Sequence, residues 1–264
     1  MKIVFLSDTH LGFDYPLRPR SNRQRRGESF YENFQKVLDY AIEQKADLVL
    51  HGGDFFFRSK LNSIVIDKAY QMLDDFNNSG IPFVVIPGNH ERSKLPESFI
   101  LHYPNIHVIA DLDEMKFSID GVNLNIIGFP YQKQIDQNFP LLMKNINLDE
   151  SNFNLLLVHQ IFYGAKVGSH NYTFRHGSEV IQNRDLPPQL DLILCGHIHR
   201  KQNLSCKTNN EKVIPIFFSG STQRTSAQEN CEPKGFYEIE IMPDKTLKYI
   251  FVELPADMVE IRKY

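Results

Sequence analysis

Three short apolar runs separated by two amphipathic stretches constrain this chain most. The runs are residues 3–6, 48–50 and 83–86. A continuous apolar run of this length reads as a strand buried on both faces. Between the first two runs, Phe30, Phe34, Val37, Leu38, Ala41 and Ile42 recur at helical spacing, predicting a helix over 28–44. Val65, Ala69, Met72, Leu73 and Phe76 form a second such stripe, which Gly80 stops, and Pro87-Gly88 ends the third run. Strand, helix, strand, helix, strand with these connection lengths requires parallel pairing and right-handed crossovers.

The second half is richer in strands. Candidates lie at 115–119, 122–127, 154–158, 192–194, 214–218, 235–241 and 247–252, with a helix at 134–145. Asp120-Gly121 between the first two is a hairpin signal. No repeat, low-complexity tract or linker interrupts the chain, so residues 1–264 are expected to form one domain of α/β class. Two mixed sheets packed together with helices outside accommodate this many strands. The composition, 42% hydrophobic and 23% charged, excludes a disordered or fibrous chain. The net charge of −3 excludes a protein that coats nucleic acid through its overall field. Any such contact must come from a local patch. Three cysteines, Cys195, Cys206 and Cys231, suit reduced thiols in a cytoplasmic protein better than a disulfide framework. The apolar run at the N-terminus is far shorter than a signal peptide's, and no segment approaches the roughly 20 apolar residues of a membrane span. No membrane association is expected.

The polar residues that stand out all follow a predicted strand. Asp8 and His10 follow the first, Asp54 the second, and Asn89 and His90 the third; His159 ends run 154–158, and His197 and His199 follow 192–194. In open α/β sheets this C-terminal edge is where ligands bind. Core packing does not explain why half of the chain's 10 histidines sit there. The spacing suggests metal. In extended chain, residues two apart point the same way, so Asp8 and His10 can offer a carboxylate and an imidazole to one ion, and His197 and His199 two imidazoles. The glycines of Gly52-Gly53-Asp54 let an ion approach closely, and a carboxylate there can bridge two cations. Asn89 fills a coordination position without adding charge. Asp8-x-His10 or Gly53-Asp54 alone reads as a surface turn, and His197-x-His199 alone reads equally as two loop histidines; the set of five in order does not. Mixed His, Asp and Asn donors suit Mn2+, Fe or Zn2+ over Mg2+ or Ca2+.

Asp8-Thr9-His10, Gly53-Asp54, Gly88-Asn89-His90-Glu91, Val158-His159 and Gly196-His197-Ile198-His199 resemble the five motifs of the calcineurin-like metallophosphoesterases. The resemblance implies a four-layer α/β/β/α sandwich and a cofactor of two divalent metal ions, with Mn2+ expected. It assigns Asp8, His10, Asp54 and His199 to one metal and Asp54, Asn89, His159 and His197 to the other. Asp54 bridges, and His90 is catalytic without being a ligand. Two ions roughly 3.5–4 Å apart suit in-line attack by a hydroxide held between them, with His90 protonating the leaving oxygen.

Asp8-Thr9-His10-Leu11-Gly12 and Gly53-Asp54-Phe55-Phe56 further resemble the SbcD-like DNA-repair nuclease branch. A DNA exonuclease or endonuclease is therefore expected, with DNA as partner. The alternatives are a small-molecule phosphatase or cyclic-nucleotide phosphodiesterase on the same fold, or a scaffold without activity. The loop 18–26 holds five arginines, of which Arg23, Arg25 and Arg26 are candidates for phosphate contacts. Arg175, in the segment 168–177, is another. The stretch 219–226 resembles the Gly-Ser segment that floors the site in that branch. His51, His102 and His107 read as structural. Members of the branch continue into a DNA-capping region and an ATPase-binding segment, whereas this sequence ends at Tyr264. The expectation is thus a phosphoesterase core without a cap. An SbcC-type ATPase partner is doubtful on this reading, and a homodimer stays open.

Overall fold

The three N-terminal runs form strands and pair in parallel. The computed structural model describes residues 1–14, 26–92, 94–96 and 103–259. β1 (Lys2–Leu6), α1 (Gly27–Glu43), β2 (Leu48–His51), α2 (Ser63–Asn77), β3 (Phe83–Val85) and β4 (Ile106–Val108) come first. β5 (Asp113–Ile119), β6 (Val122–Gly128), α3 (Ile135–Lys144) and β7 (Phe153–Val158) follow. Next are the short strands β8 (Ile161–Phe162), β9 (Lys166–Val167), β10 (Tyr172–Thr173) and β11 (Val180–Ile181). β12 (Leu192–Cys195), β13 (Gln202–Lys207), β14 (Val213–Phe218), β15 (Lys234–Ile241) and β16 (Leu247–Leu254) complete the order.

Two six-stranded sheets result, in the orders β16-β15-β1-β2-β3-β4 and β13-β14-β12-β7-β6-β5. β1, β2, β3 and β4 run parallel, while β15 returns from the far end of the chain to pair antiparallel with β1. In the second sheet β6, β7, β12 and β14 are parallel, with antiparallel β5 and β13 at the edges. Both sheets are mixed, as expected.

Alternation along β1 explains the layering. Ile3 and Phe5 face the second sheet, meeting Leu155, Leu157, Leu192 and Leu194 in the core between sheets. Val4 and Leu6 face the other way, packing with Phe34, Val37 and Leu73 of the helices. The outer face of the second sheet buries Leu156, Val158 and Ile193 with Phe139 and Met143 of α3. Helices, sheet, sheet and helix therefore form four layers. Each large apolar side chain so buried contributes roughly 1.5–3 kcal/mol.

The Asp120-Gly121 hairpin forms, with φ of 50° and 78°, as a two-residue turn requires. β13 was not expected. It is a polar edge strand whose residues are mostly solvent-facing, so no apolar run announces it. β4 and the strands from β8 to β11 are too short to leave a periodic signal. Among the described residues no helix is long and apolar enough to cross a membrane.

Candidate metal centre

Asp8, His10, Asp54, Asn89, His90, His159, His197 and His199 converge where β1, β2 and β3 of one sheet end beside β7 and β12 of the other. Parallel strands bring their C-terminal ends to a single edge, so side chains distant in sequence meet there. Past β1 the chain stays against the segment that follows β2. The amides of Asp8, His10 and Leu11 donate to the carbonyls of Gly53, Asp54 and Phe55 at 2.9, 3.0 and 2.9 Å. The main chain thus places Asp8, His10 and Asp54 before any side chain contributes.

The expected extended pairing of Asp8 with His10, and of His197 with His199, is not what aims these groups. Asp8, His10, Asp54 and His197 have φ of 53°, 46°, 54° and 79°, all in the left-handed region. Tight turns, not a pleat, converge the side chains. A non-glycine residue held there costs on the order of 1 kcal/mol or more, and such strain concentrates at functional sites.

Two clusters share Asp54. In the first, His10 Nε2 lies 2.8 Å from His199 Nε2 and 4.0 Å from Asp54 Oδ2, and His199 Nε2 lies 3.8 Å from Asp8 Oδ1. In the second, Asn89 Oδ1 lies 3.0 Å from His159 Nε2 and 2.8 Å from His197 Nδ1, and His159 Nε2 lies 3.3 Å from Asp54 Oδ2. Donors at about 2.1 Å from one ion and at right angles to each other stand about 3 Å apart, so these separations fit coordination shells. Asp8, His10 and His159 are wholly buried. Carboxylates and imidazoles facing one another in such a place call for cations.

The histidine rings are set from behind. His159 Nδ1–H donates to the Gly52 carbonyl at 2.7 Å and His90 Nδ1–H to that of Phe57 at 2.7 Å, so each turns Nε2 inward. His199 Nδ1 meets Glu229 Oε1 at 3.2 Å. His51, read as structural, braces the site: it accepts from the Gly53 amide at 3.2 Å and bonds Thr9 Oγ1, between Asp8 and His10, at 3.0 Å. Asp54 Oδ1 accepts from the His90 amide at 2.9 Å. Asp8 Oδ2 accepts from Ser7 Oγ at 2.6 Å, and Ser7 Oγ also meets Ser219 Oγ at 2.8 Å. The stretch that includes Ser219, Ser221 and Thr222 is fully buried beneath Asp8.

Protonation reflects this crowding. Burial raises the Asp8 carboxyl above the usual range. Burial, then the facing His199, pushes His10 well down, and burial with His159 brings His197 to about 3. At His159 burial is outweighed by the charges of Asp54 and Asp8, raising it to about 9. Asp54 is also buried, but His159 and His10 hold it well below the usual carboxylate range. Burial and the nearby Asp54 lift Glu91 to about 8. Glu91 accepts from the amides of Phe56 and Gly88 at 2.5 and 2.9 Å, tying the Asn89–His90 loop to the segment after β2.

His90 lies on the solvent side of the site with Asn89, His197 and His199, all half-buried. The His90 side chain is 33% exposed, with Nε2 3.8 Å from Asp54 Oδ2. Of the arginine candidates, Arg23 and Arg25 lie outside the described residues. Arg26 is tied back, donating to the Arg224 carbonyl at 3.2 Å and standing 5.8 Å over the Phe13 ring. Arg175 is exposed between β10 and β11, and among the described contacts none joins its guanidinium to the cluster. Glu229, Lys234 and Tyr131 were not foreseen. Tyr131 stacks on His197 with ring centroids 5.6 Å apart. A lysine heading the apolar run 235–241 was the available signal for Lys234; lone loop residues carry none.

Comparisons with known proteins bear on the family and the fold. The chain is 26% identical over 253 residues to the DNA double-strand break repair protein Mre11 of Saccharolobus solfataricus, covering 92% of this chain and 61% of that protein. It is 29% identical over 250 residues to Mre11 of Methanococcus maripaludis, covering 90% and 62%. A subunit of the SbcCD nuclease of Staphylococcus saprophyticus is 24% identical over 284 residues, covering 99% and 71%. The chain therefore spans somewhat under two thirds of the length of these Mre11 proteins. Among solved structures, a dimetal phosphatase from Danio rerio matches with a TM-score of 0.54 at 9% identity, over 90% of this chain and 92% of its own. A Thermus thermophilus protein matches at 0.54 and 10%, over 95% and 98%. At such identities these two support the fold alone. Residues 1–201 match the model of the Calcineurin-like phosphoesterase family, and the chain belongs to that family of hydrolases acting on phosphoester bonds.

Proposed function

We propose that this chain is the two-metal hydrolytic part of a DNA nuclease of the SbcD type, cutting phosphodiester bonds. The observation that carries the reading is the crowding of donors about Asp54: Asp8, His10 and His199 lie together, and Asp54 groups with His10 and His90 and again with Asp8 and His159. In this reading Asp8, His10, Asp54 and His199 hold one divalent ion, and Asp54, Asn89, His159 and His197 hold the other. Mn2+ is the expected metal, with Fe or Zn2+ as alternatives. Bound there, two such ions offset phosphate charge and make water acidic enough to attack near neutral pH.

The chain's own residues do the rest. Wholly buried Asp8, His10 and His159 keep bulk water from the inner side of the site. Because His90 commits its Nδ1–H to the Phe57 carbonyl, Nε2 is the atom left to hold a proton for the leaving oxygen. The His90 amide on Asp54 Oδ1 couples its position to the shared carboxylate.

DNA as substrate draws support from the Mre11 and SbcCD relatives, whose names mark repair and nuclease roles. The five arginines within residues 18–26 are the proposed source of charge for a phosphate backbone. Since the Staphylococcus saprophyticus relative is named as one subunit of a nuclease, an SbcC-type partner belongs to this proposal, as does a cytoplasmic setting. We treat the two sheets, which share one core, as a single domain.

With Mn2+ present, the full chain is expected to hydrolyse single-stranded DNA and bis-p-nitrophenyl phosphate. Mononucleotides, assayed alongside, are expected to turn over far more slowly. Activity confined to monoesters would overturn the nuclease reading in favour of a small-molecule phosphatase.

A further inference from the structure

Behind His199, on the side away from His10, lies a buried ion pair that the reaction itself does not use. Lys234 is fully buried and Glu229 nearly so. Lys234 Nζ donates to Glu229 Oε2 at 2.6 Å, to Ser221 Oγ at 2.8 Å and to the His199 carbonyl at 2.8 Å. All three ammonium protons are therefore used. Glu229 Oε1 faces His199 Nδ1 at 3.2 Å and accepts from Thr225 Oγ1 at 2.6 Å and Ser226 Oγ at 3.2 Å. One ion pair thus grips His199 twice, by ring and by backbone.

Burying a lysine and a glutamate is costly, and a buried pair is weak evidence for stability as such. Both charges here are directed at one side chain. Among the described residues no carboxylate backs the other inward histidines: His159 rests on a peptide carbonyl, His197 stacks on Tyr131, and His10 Nδ1 meets no hydrogen-bond partner. A carboxylate behind a metal-binding imidazole fixes its tautomer and raises its basicity.

We infer that Glu229 and Lys234 are positioning residues for His199, which make the ion site built from Asp8, His10 and His199 tighter and independently tunable. The inference rests on the two-ion reading above. It adds an asymmetry between the sites: a carboxylate–imidazole relay supports one ion, and a peptide carbonyl with an aromatic ring supports the other.

The test is a calorimetric titration of the metal-stripped full chain with MnCl2, alongside the thermal midpoint of each metal-free variant. Wild type is expected to take two ions. Glu229→Gln is expected to keep one at wild-type affinity and to lose about 10- to 100-fold at the other. Its half-loaded form should give the paramagnetic resonance spectrum of an isolated Mn2+. Because Glu229→Gln strands a buried ammonium, the double variant Glu229→Gln/Lys234→Met removes both charges and should show the same one-site loss. A purely structural role would lower the thermal midpoint while leaving both affinities alike. Two wild-type affinities in either folded variant would overturn the inference. A wild-type chain that takes up no Mn2+ would instead overturn the two-ion reading on which it depends.

Discussion

On the proposed reading His90, half-buried with its Nδ1–H committed to the Phe57 carbonyl, serves as proton donor while the buried Asp8, His10 and His159 serve as ligands. His90→Ala is expected to keep both ions and to lose roughly 10²–10⁴-fold in kcat, the usual worth of a placed general acid. Metal content by elemental analysis together with turnover checks this; full occupancy with near wild-type kcat would remove His90 from the mechanism. The donors were legible in the sequence because their types are rare in cores and each follows an apolar run. What aims them was not. Left-handed φ at Asp8 and His10 accompanies main-chain bonds to the segment after β2, and that at His197 an amide bond to the Asp8 carboxylate; nothing local at these non-glycine residues announces it. Glu229 and Lys234 escaped notice for a similar reason: their partner His199 is about 30 residues away in sequence and adjacent only in space.

At the scale of elements, the strands carry the site and the turns tune it. Gly88, after β3, sits so close to Asp54 that a Cβ there would collide with its carboxylate and its amide. Gly88→Ala must push Asp54 aside, and it is expected to cost about 1–3 kcal/mol of stability. Because Asp54 serves both clusters, the same variant should weaken uptake of both ions, unlike Glu229→Gln. Chemical denaturation and Mn2+ titration read the two effects. Doubly buried strands were legible from unbroken apolar runs, and α1 and α2 from their stripes. β13 and β4 were not, since an edge strand is stabilised by its neighbour's hydrogen bonds rather than by its own composition.

For the whole molecule, the protonation of the metal-free site sets how stability follows pH. His159 is raised to about 9 and Glu91 to about 8. Above pH 6.5 the folded chain therefore keeps protons that the unfolded chain has released, and stability falls as pH rises toward 9. His51 and His197 are both brought to about 3, by burial and then His159. Below 6.5 the unfolded chain gains protons that these rings refuse, so stability falls there as well as pH drops toward 3. The metal-free thermal midpoint should accordingly decline from pH 6.5 to 9. Since ions bind deprotonated ligands, Mn2+ should raise the midpoint more at pH 8 than at pH 6. At a hundredfold excess over Kd the gain is about 2.7 kcal/mol. Scanning calorimetry at both pH values decides it; an equal Mn2+ increment would mean that these groups do not exchange protons for metal.

Asp8, His10, Asp54 and Asn89 extend from one sheet, and His159, His197 and His199 from the other. On the proposed assignment each ion takes ligands from both halves of the sandwich, joining residues as far apart in sequence as His10 and His199. The ions then act as rivets through the seam between the sheets. Each ion, while bound, ties the two halves together at that edge. Metal binding should therefore make the two sheets unfold as one unit, where the metal-free sandwich can loosen first at that edge.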